Sequence, residues 1–151
     1  MNLKKTLFII TLFLSSISFA QKDLIGASVS YSNQSGNFGK AGLFIVTGFN
    51  SNSILYKIDA NVNMAYMRDN FHVIPEIGIT GYLAGGGFYY IFPFVESEFT
   101  PYTITPKVGI SVGTFVDFGI GFGFKINEKE DFKPIKGFQF SVGLNIPFNV
   151  K

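Results

Sequence analysis

The sequence predicts an all-β protein: an eight-stranded, antiparallel, up-and-down transmembrane β-barrel that follows a cleaved signal peptide. Three observations predict it. The first is the stretch from Asp117 to Asn127, where Phe118, Ile120, Phe122, Phe124 and Ile126 alternate with Asp117, Gly119, Gly121, Gly123, Lys125 and Asn127. A period of two belongs to a strand. One large apolar face opposite a face of glycine and charge suits a small barrel, with lipid outside and a cramped polar interior. The second observation is recurrence: eight such segments follow one another at about 16 residues each, against about 9–11 for a tilted membrane strand. The third is the start of the chain. Lys4 and Lys5 precede the apolar run Leu7–Leu14, and small residues stand at Ser18 and Ala20.

That opening has the three parts of a secretory signal, with cleavage between Ala20 and Gln21. Residues 7–20 fall short of the roughly 20 that a helix needs to cross a bilayer. The expected domains are the signal peptide, 1–20, and the barrel, 21–151. Losing the leader takes Lys+Arg from 12 to 10, level with 10 Asp+Glu, so the formal charge of +2 disappears. No basic patch points to nucleic acid. The chain has no cysteine, which excludes disulfides and thiolate metal sites.

The strands follow in order. The first, 24–32, sets Ile25, Ala27, Val29 and Tyr31 against Gly26, Ser28, Ser30 and Ser32, before a loop beginning at Asn33. The second, 40–49, is less regular, because Leu43–Val46 is apolar on both faces. The third, 54–66, sets Ile54, Tyr56, Ile58, Ala60, Val62, Met64 and Tyr66 against Lys57, Asp59, Asn61 and Asn63. Arg68-Asp69-Asn70 turns the chain into a fourth, with Val73, Pro75, Ile77 and Ile79 opposite His72, Glu76, Gly78 and Thr80. The fifth, 88–95, is aromatic on both faces and leaves its parity open, and 96–101 reads as a loop. The sixth sets Val108, Ile110 and Val112 against Lys107, Gly109, Ser111 and Gly113. The seventh is the opening stretch, followed by the charged loop 128–134. The eighth places Phe138, Phe140, Val142, Leu144, Ile146 and Phe148 outward and Gly137, Gln139, Ser141, Gly143 and Asn145 inward. An even count puts both termini at one end. The connections after the first, third, fifth and seventh strands lie at the other, and two of them are expected to be the longest loops.

Val73–Thr80 and Ile104–Ser111 repeat one another at an offset of 31, two strands apart, with Pro75 and Pro106 in register. Each proline removes a ladder hydrogen bond, so both are expected near the outer rim or at bulges.

Energy fixes which face is inside. A lysine turned into lipid near the midplane costs about 2–4 kcal/mol. The interior of an eight-stranded barrel is only wide enough for side chains to fill it, which suits the glycines. Six inward charges result: Lys57, Lys107 and Lys125 against Asp59, Glu76 and Asp117. Glu76, Lys107 and Lys125 are expected in the outer half, and Lys57, Asp59 and Asp117 in the inner. Mutual pairing is the expectation, since breaking a buried pair costs about 3–5 kcal/mol. A selectivity filter or proton path is the functional alternative.

Other candidates for chemistry are weak. His72 has no serine near it on its face, so a histidine of the rim is expected rather than a catalytic base. Gly119, Gly121 and Gly123 alternate within a strand and open no helix, as a phosphate loop must. Glu128–Asp131 reads as a solvated loop. Aromatics near strand ends, at Tyr31, Tyr56, Tyr66, Phe71, Tyr82, Phe99, Tyr102, Phe115 and Phe148, suit interfacial girdles.

On the leader, the alternation, the Pro75-Glu-Ile-Gly and Pro106-Lys-Val-Gly strands and the aromatic last strand, residues 21–151 resemble the small outer-membrane β-barrel family of Gram-negative bacteria, the OmpA/OmpX-like type. The resemblance implies an outer-membrane location, lipid as the surrounding partner, and Phe148 as the aromatic assembly signal presented to the barrel-assembly machinery. The leading expectation is a monomeric, non-enzymatic barrel without metal or cofactor, its interior salt-bridged and largely plugged, with an envelope or surface-contact role. A narrow porin-like channel for ions or small solutes is the second reading. The third is a secreted, soluble barrel binding an apolar ligand, which requires Phe118–Ile126 to point inward.

Overall fold

The computed structural model describes residues 23–49, 53–84, 90–128 and 135–149. The expected signal peptide with its cleavage residues Ala20 and Gln21, the glycine run 85–87 and most of the charged loop 128–134 lie outside them. Eight strands form: β1 (Leu24–Asn33), β2 (Asn37–Thr47), β3 (Ile54–Met67), β4 (Asn70–Leu83), β5 (Ile91–Phe99), β6 (Thr103–Val112), β7 (Val116–Lys125) and β8 (Gly137–Pro147). Each pairs antiparallel with its chain neighbour, and β8 pairs back onto β1 to close a barrel. Followed round the barrel, the registers return to β1 about ten residues further along, the stagger that tilted strands need for closure.

Parity is as the alternation predicts. Phe118, Ile120, Phe122 and Phe124 face outward, Phe122 at 52% exposure, while Gly119 and Gly123 are buried inside. The inverted arrangement needed by an apolar-ligand carrier is therefore not the one found. No Asp, Glu, Lys or Arg stands on the outward face of any of the eight strands.

The two ambiguous strands become intelligible here. β2 begins three residues before the expected Lys40 and ends before Phe49, with Phe38, Lys40, Phe44 and Val46 inward. β5 is shifted towards the C-terminus, starting at Ile91, and takes in Glu96–Phe99, which the sequence suggested as loop. Both strands carry inward aromatics because the lumen is lined by apolar residues near each mouth. Phe44, Val46, Leu55, Tyr82 and Phe94 pack together at the end bearing the chain termini. Phe38, Ala65, Met67, Ile74 and Ile135 pack at the other, hereafter the outer end. Tyr82 thus belongs to the interior and not to an outer aromatic girdle.

Loop lengths also differ from expectation. With Glu96–Phe99 in β5, the outer connections are 34–36, 68–69, 100–102 and 126–136, so only the last is long. In the two-residue turn, Arg68 and Asp69 both take positive φ (48° and 62°), the geometry whose twist matches paired strands. Each of Pro75, Pro93 and Pro106 keeps a partner on one side and lacks one on the other. Pro75 and Pro93 lie beyond the stretch over which β4 and β5 pair, Ile77–Tyr82 with Phe94–Phe99. The β6–β7 ladder is interrupted at Thr105–Pro106 and resumes in the same register at Lys107.

Candidate functional site: the charged lumen

Between the two apolar clusters lies a charged middle, built by inward positions of six strands. Its outer tier is an alternating chain of five groups. Lys40 Nζ donates to both oxygens of Glu76 (3.0 and 2.9 Å) and to Glu98 Oε1 (2.6 Å). Lys107 Nζ donates to the same Glu98 Oε1 (2.7 Å) and pairs with Glu96 Oε2 (2.7 Å). Neutral amides complete it: Asn63 donates to Glu76 Oε2 (2.7 Å) and Gln139 to Glu98 Oε2 (3.0 Å). These are charge-assisted bonds in a site that water barely reaches, Lys107 and Glu98 each being 6% exposed.

The inner tier centres on Asp117. Its Oδ2 accepts from Lys57 Nζ (3.1 Å), Tyr82 OH (3.1 Å) and Asn145 Nδ2 (2.8 Å). Lys57 also lies 3.7 Å from Asp59 Oδ2, and its ammonium stands 5.8 Å from the centre of the Tyr82 ring. Asn61 donates to Asp59 Oδ1 and accepts from Ser28 Oγ (2.8 Å).

The inward glycines make room for these groups. A Cβ on Gly78 would meet the Asp59 carboxylate, and one on Gly121 would meet the Lys107 stem and the Pro106 carbonyl. Gly109 and Gly119 together seat the Phe94 ring, the floor of the charged region. The 31-residue repeat therefore places two equivalent parts: an inward charge, Glu76 or Lys107, followed two residues later by a glycine socket.

Of the six predicted lumen charges, the structure brings five into these two tiers, divided between outer and inner halves as strand direction predicts. Lys125 is the exception. It ends β7 with its side chain 36% exposed and pairs with Glu128 at the rim. This hydrogen bond holds the Glu128 carboxyl below the usual carboxylate range. Lys40, Glu96 and Glu98 were missed, each lying where strand phase was hidden. The expected balance of three against three is replaced by three lysines and five carboxylates.

At the outer mouth, described residues on either side of the barrel meet over the lumen. Gln34 turns in over Gly123 and is buried. Ser35 Oγ donates to Lys136 O (2.6 Å), and Thr103 Oγ1 donates to Ile135 O (3.0 Å). His72 is half-buried at this rim, its Nε2 3.2 Å from Met67 O. Phe148 follows β8 with its ring exposed, and its backbone N–H donates to Ile25 O (2.8 Å). Asn149 bonds both Ile25 N–H and Asp23 O, tying the chain's end to the start of β1.

No known protein family, curated protein or solved structure matches the chain.

Proposed function

We propose that the protein is an integral outer-membrane β-barrel, delivered by its leader, with a plugged and non-conducting interior. One observation carries the reading: all eight strands present an outward face without a formal charge, while the charged groups of the barrel wall turn inward or stand at its rims. In water that arrangement exposes Leu43, Ile58, Val108 and Phe122 at great cost, whereas in hydrocarbon it is the favoured one. About ten residues per strand, tilted as barrels of this size are, span roughly 25 Å of bilayer.

The plug rests on the lumen's layering. Apolar clusters at both mouths enclose two tiers of mutually bonded charge, which favours a closed barrel over the narrow channel. On this reading the barrel is a monomeric, non-enzymatic envelope component, and contact with the outside falls to the rim residues and the connection 126–136. Phe148 is the aromatic residue offered to the assembly machinery.

The test has two stages. Protein refolded with phosphatidylcholine vesicles should float with them and migrate differently on a gel before and after boiling. The same preparation in a planar bilayer should carry no steady current. Protein that stays soluble without lipid defeats the membrane reading, and a stable conductance from inserted protein defeats the plug.

A further inference from the structure

The lumen's charges do not cancel, and the surplus has a location. A small cavity of about 30 Å³ lies between the two tiers. Asp59 from β3, Glu96 and Glu98 from β5 and Asp117 from β7 face it, against Lys57 and Lys107 alone. Two negative charges are in excess when all six are ionised. Lys40 and Glu76 stand above it as a pair and leave the balance unchanged, and Tyr82 from β4 adds no charge, meeting the cluster through its hydroxyl on Asp117 and its ring beside the Lys57 ammonium.

Two carboxylate oxygens at this cavity are left over. Asp59 is 3% exposed, yet its Oδ2 accepts no hydrogen bond, and Lys57 is 3.7 Å away. Asp117 gathers all three of its donors on Oδ2, and its Oδ1 accepts none. The remaining lining supplies neutral polar groups from Ser28, Ser30, Asn61, Ser141 and Asn145. Uncompensated charge in so enclosed a place is strongly unfavourable, and the apolar clusters at the mouths keep bulk water from offsetting it.

We propose that this cavity is a binding site for a small, singly charged cation, either an alkali ion or a proton taken up from water. Among the described residues no group of three or more His, Asp or Glu side chains is arranged to hold a metal ion, so the ligand would rest on the two unbonded carboxylate oxygens and the neutral polar groups around them. The proposal rests on the closed lumen of the reading above, but its test does not depend on a membrane.

The barrel is refolded in zwitterionic micelles, whether or not it floats with vesicles, and its urea unfolding is followed in sodium, potassium or N-methylglucamine chloride at equal ionic strength. If an alkali ion is the ligand, the unfolding constant at about pH 8 should be roughly tenfold smaller in sodium or potassium than in the bulky cation, and saturably so. If protons fill the site, the three salts agree and stability falls as pH rises. The unfolding constant then grows about tenfold per pH unit for each extra proton the folded state holds. Asp59→Asn with Asp117→Asn, which removes the surplus, should abolish whichever dependence is found, while Glu128→Gln at the rim should leave it. Equal unfolding in all salts with a flat profile from about pH 6 to 9 overturns the proposal. So does a dependence that survives in the double variant, and the wild-type comparison decides even if that variant does not fold.

Discussion

Removing one lysine from the outer tier should do more harm than removing the carboxylate at its centre. Lys107 is buried, with Glu96 Oε2 and Glu98 Oε1 each 2.7 Å from its ammonium. Among the described residues it is the one cation paired with Glu96. Lys107→Met therefore leaves Glu96 with no cation in contact, Lys57 facing it only across the cavity, and leaves Lys40 to serve both Glu76 and Glu98, at a cost of about 3–5 kcal/mol for a broken buried pair. Glu98→Gln takes away the carboxylate that joins the tier's two lysines, yet Lys40 retains Glu76 and Lys107 retains Glu96. Its cost should stay near the loss of charge assistance, about 1.5–3 kcal/mol, and it lessens the negative surplus as well. Adding Glu96→Gln to Lys107→Met should recover part of the loss, a coupling that a double-mutant cycle measures. The chain has no tryptophan, so urea unfolding in micelles is best followed by far-UV circular dichroism or gel mobility. If Glu98→Gln proves as damaging as Lys107→Met, the surplus of carboxylate has been misjudged and the tier is not organised by its lysines.

Three further outcomes follow from the geometry. Gly121→Ala should destabilise by about 1–3 kcal/mol, because its Cβ meets the Lys107 stem and the Pro106 carbonyl, whereas Gly39→Ala, with nothing near its Cβ, should be close to neutral in the same urea assay. Ile120→Lys, on the outward face of β7, should cost about 2–4 kcal/mol in vesicles and be harmless if that face meets water, a difference that refolding yield with and without lipid will report. Glu128 should titrate below an ordinary glutamate, and Lys125→Ala should return its midpoint upward by NMR. A depressed folded-state value makes the contact favourable at any pH above the unfolded value, and the contribution is lost as pH falls through the folded one, so it is present at neutral pH and absent in acid.

The barrel was legible wherever one face was purely apolar, as in β3, β7 and β8. It was obscured in β2 and β5, where Phe44, Val46, Phe92 and Phe94 line the inner mouth and make both faces apolar. Knowing the phase of β2 would have turned Lys40 inward beside Glu76. Glu96-Ser97-Glu98 resembled a turn by composition, although Val95, Ser97 and Phe99 alternate with two glutamates as a strand should. Lys125 had the right parity and the wrong depth, since parity says which way a side chain points but not how far along the strand the lumen closes. Tyr82 shared parity with Glu76 and Thr80 and could have been placed inside on that ground. The pairing of particular charges was beyond the sequence, because it depends on registers between strands distant in the chain.

The bond of Phe148 to Ile25, and of Asn149 to Ile25 and Asp23, carries a consequence for how the molecule is made. Its first strand waits for its last: Gly26 pairs with Pro147, so β1 keeps one side unsatisfied until β8 has been made. A chain interrupted before β8 has two raw edges and an unroofed lumen, a template for aggregation. Such long-range closure is intrinsically slow. The barrel can therefore close only once β8 has been made, and the closed form, unlike any shorter intermediate, has no edge.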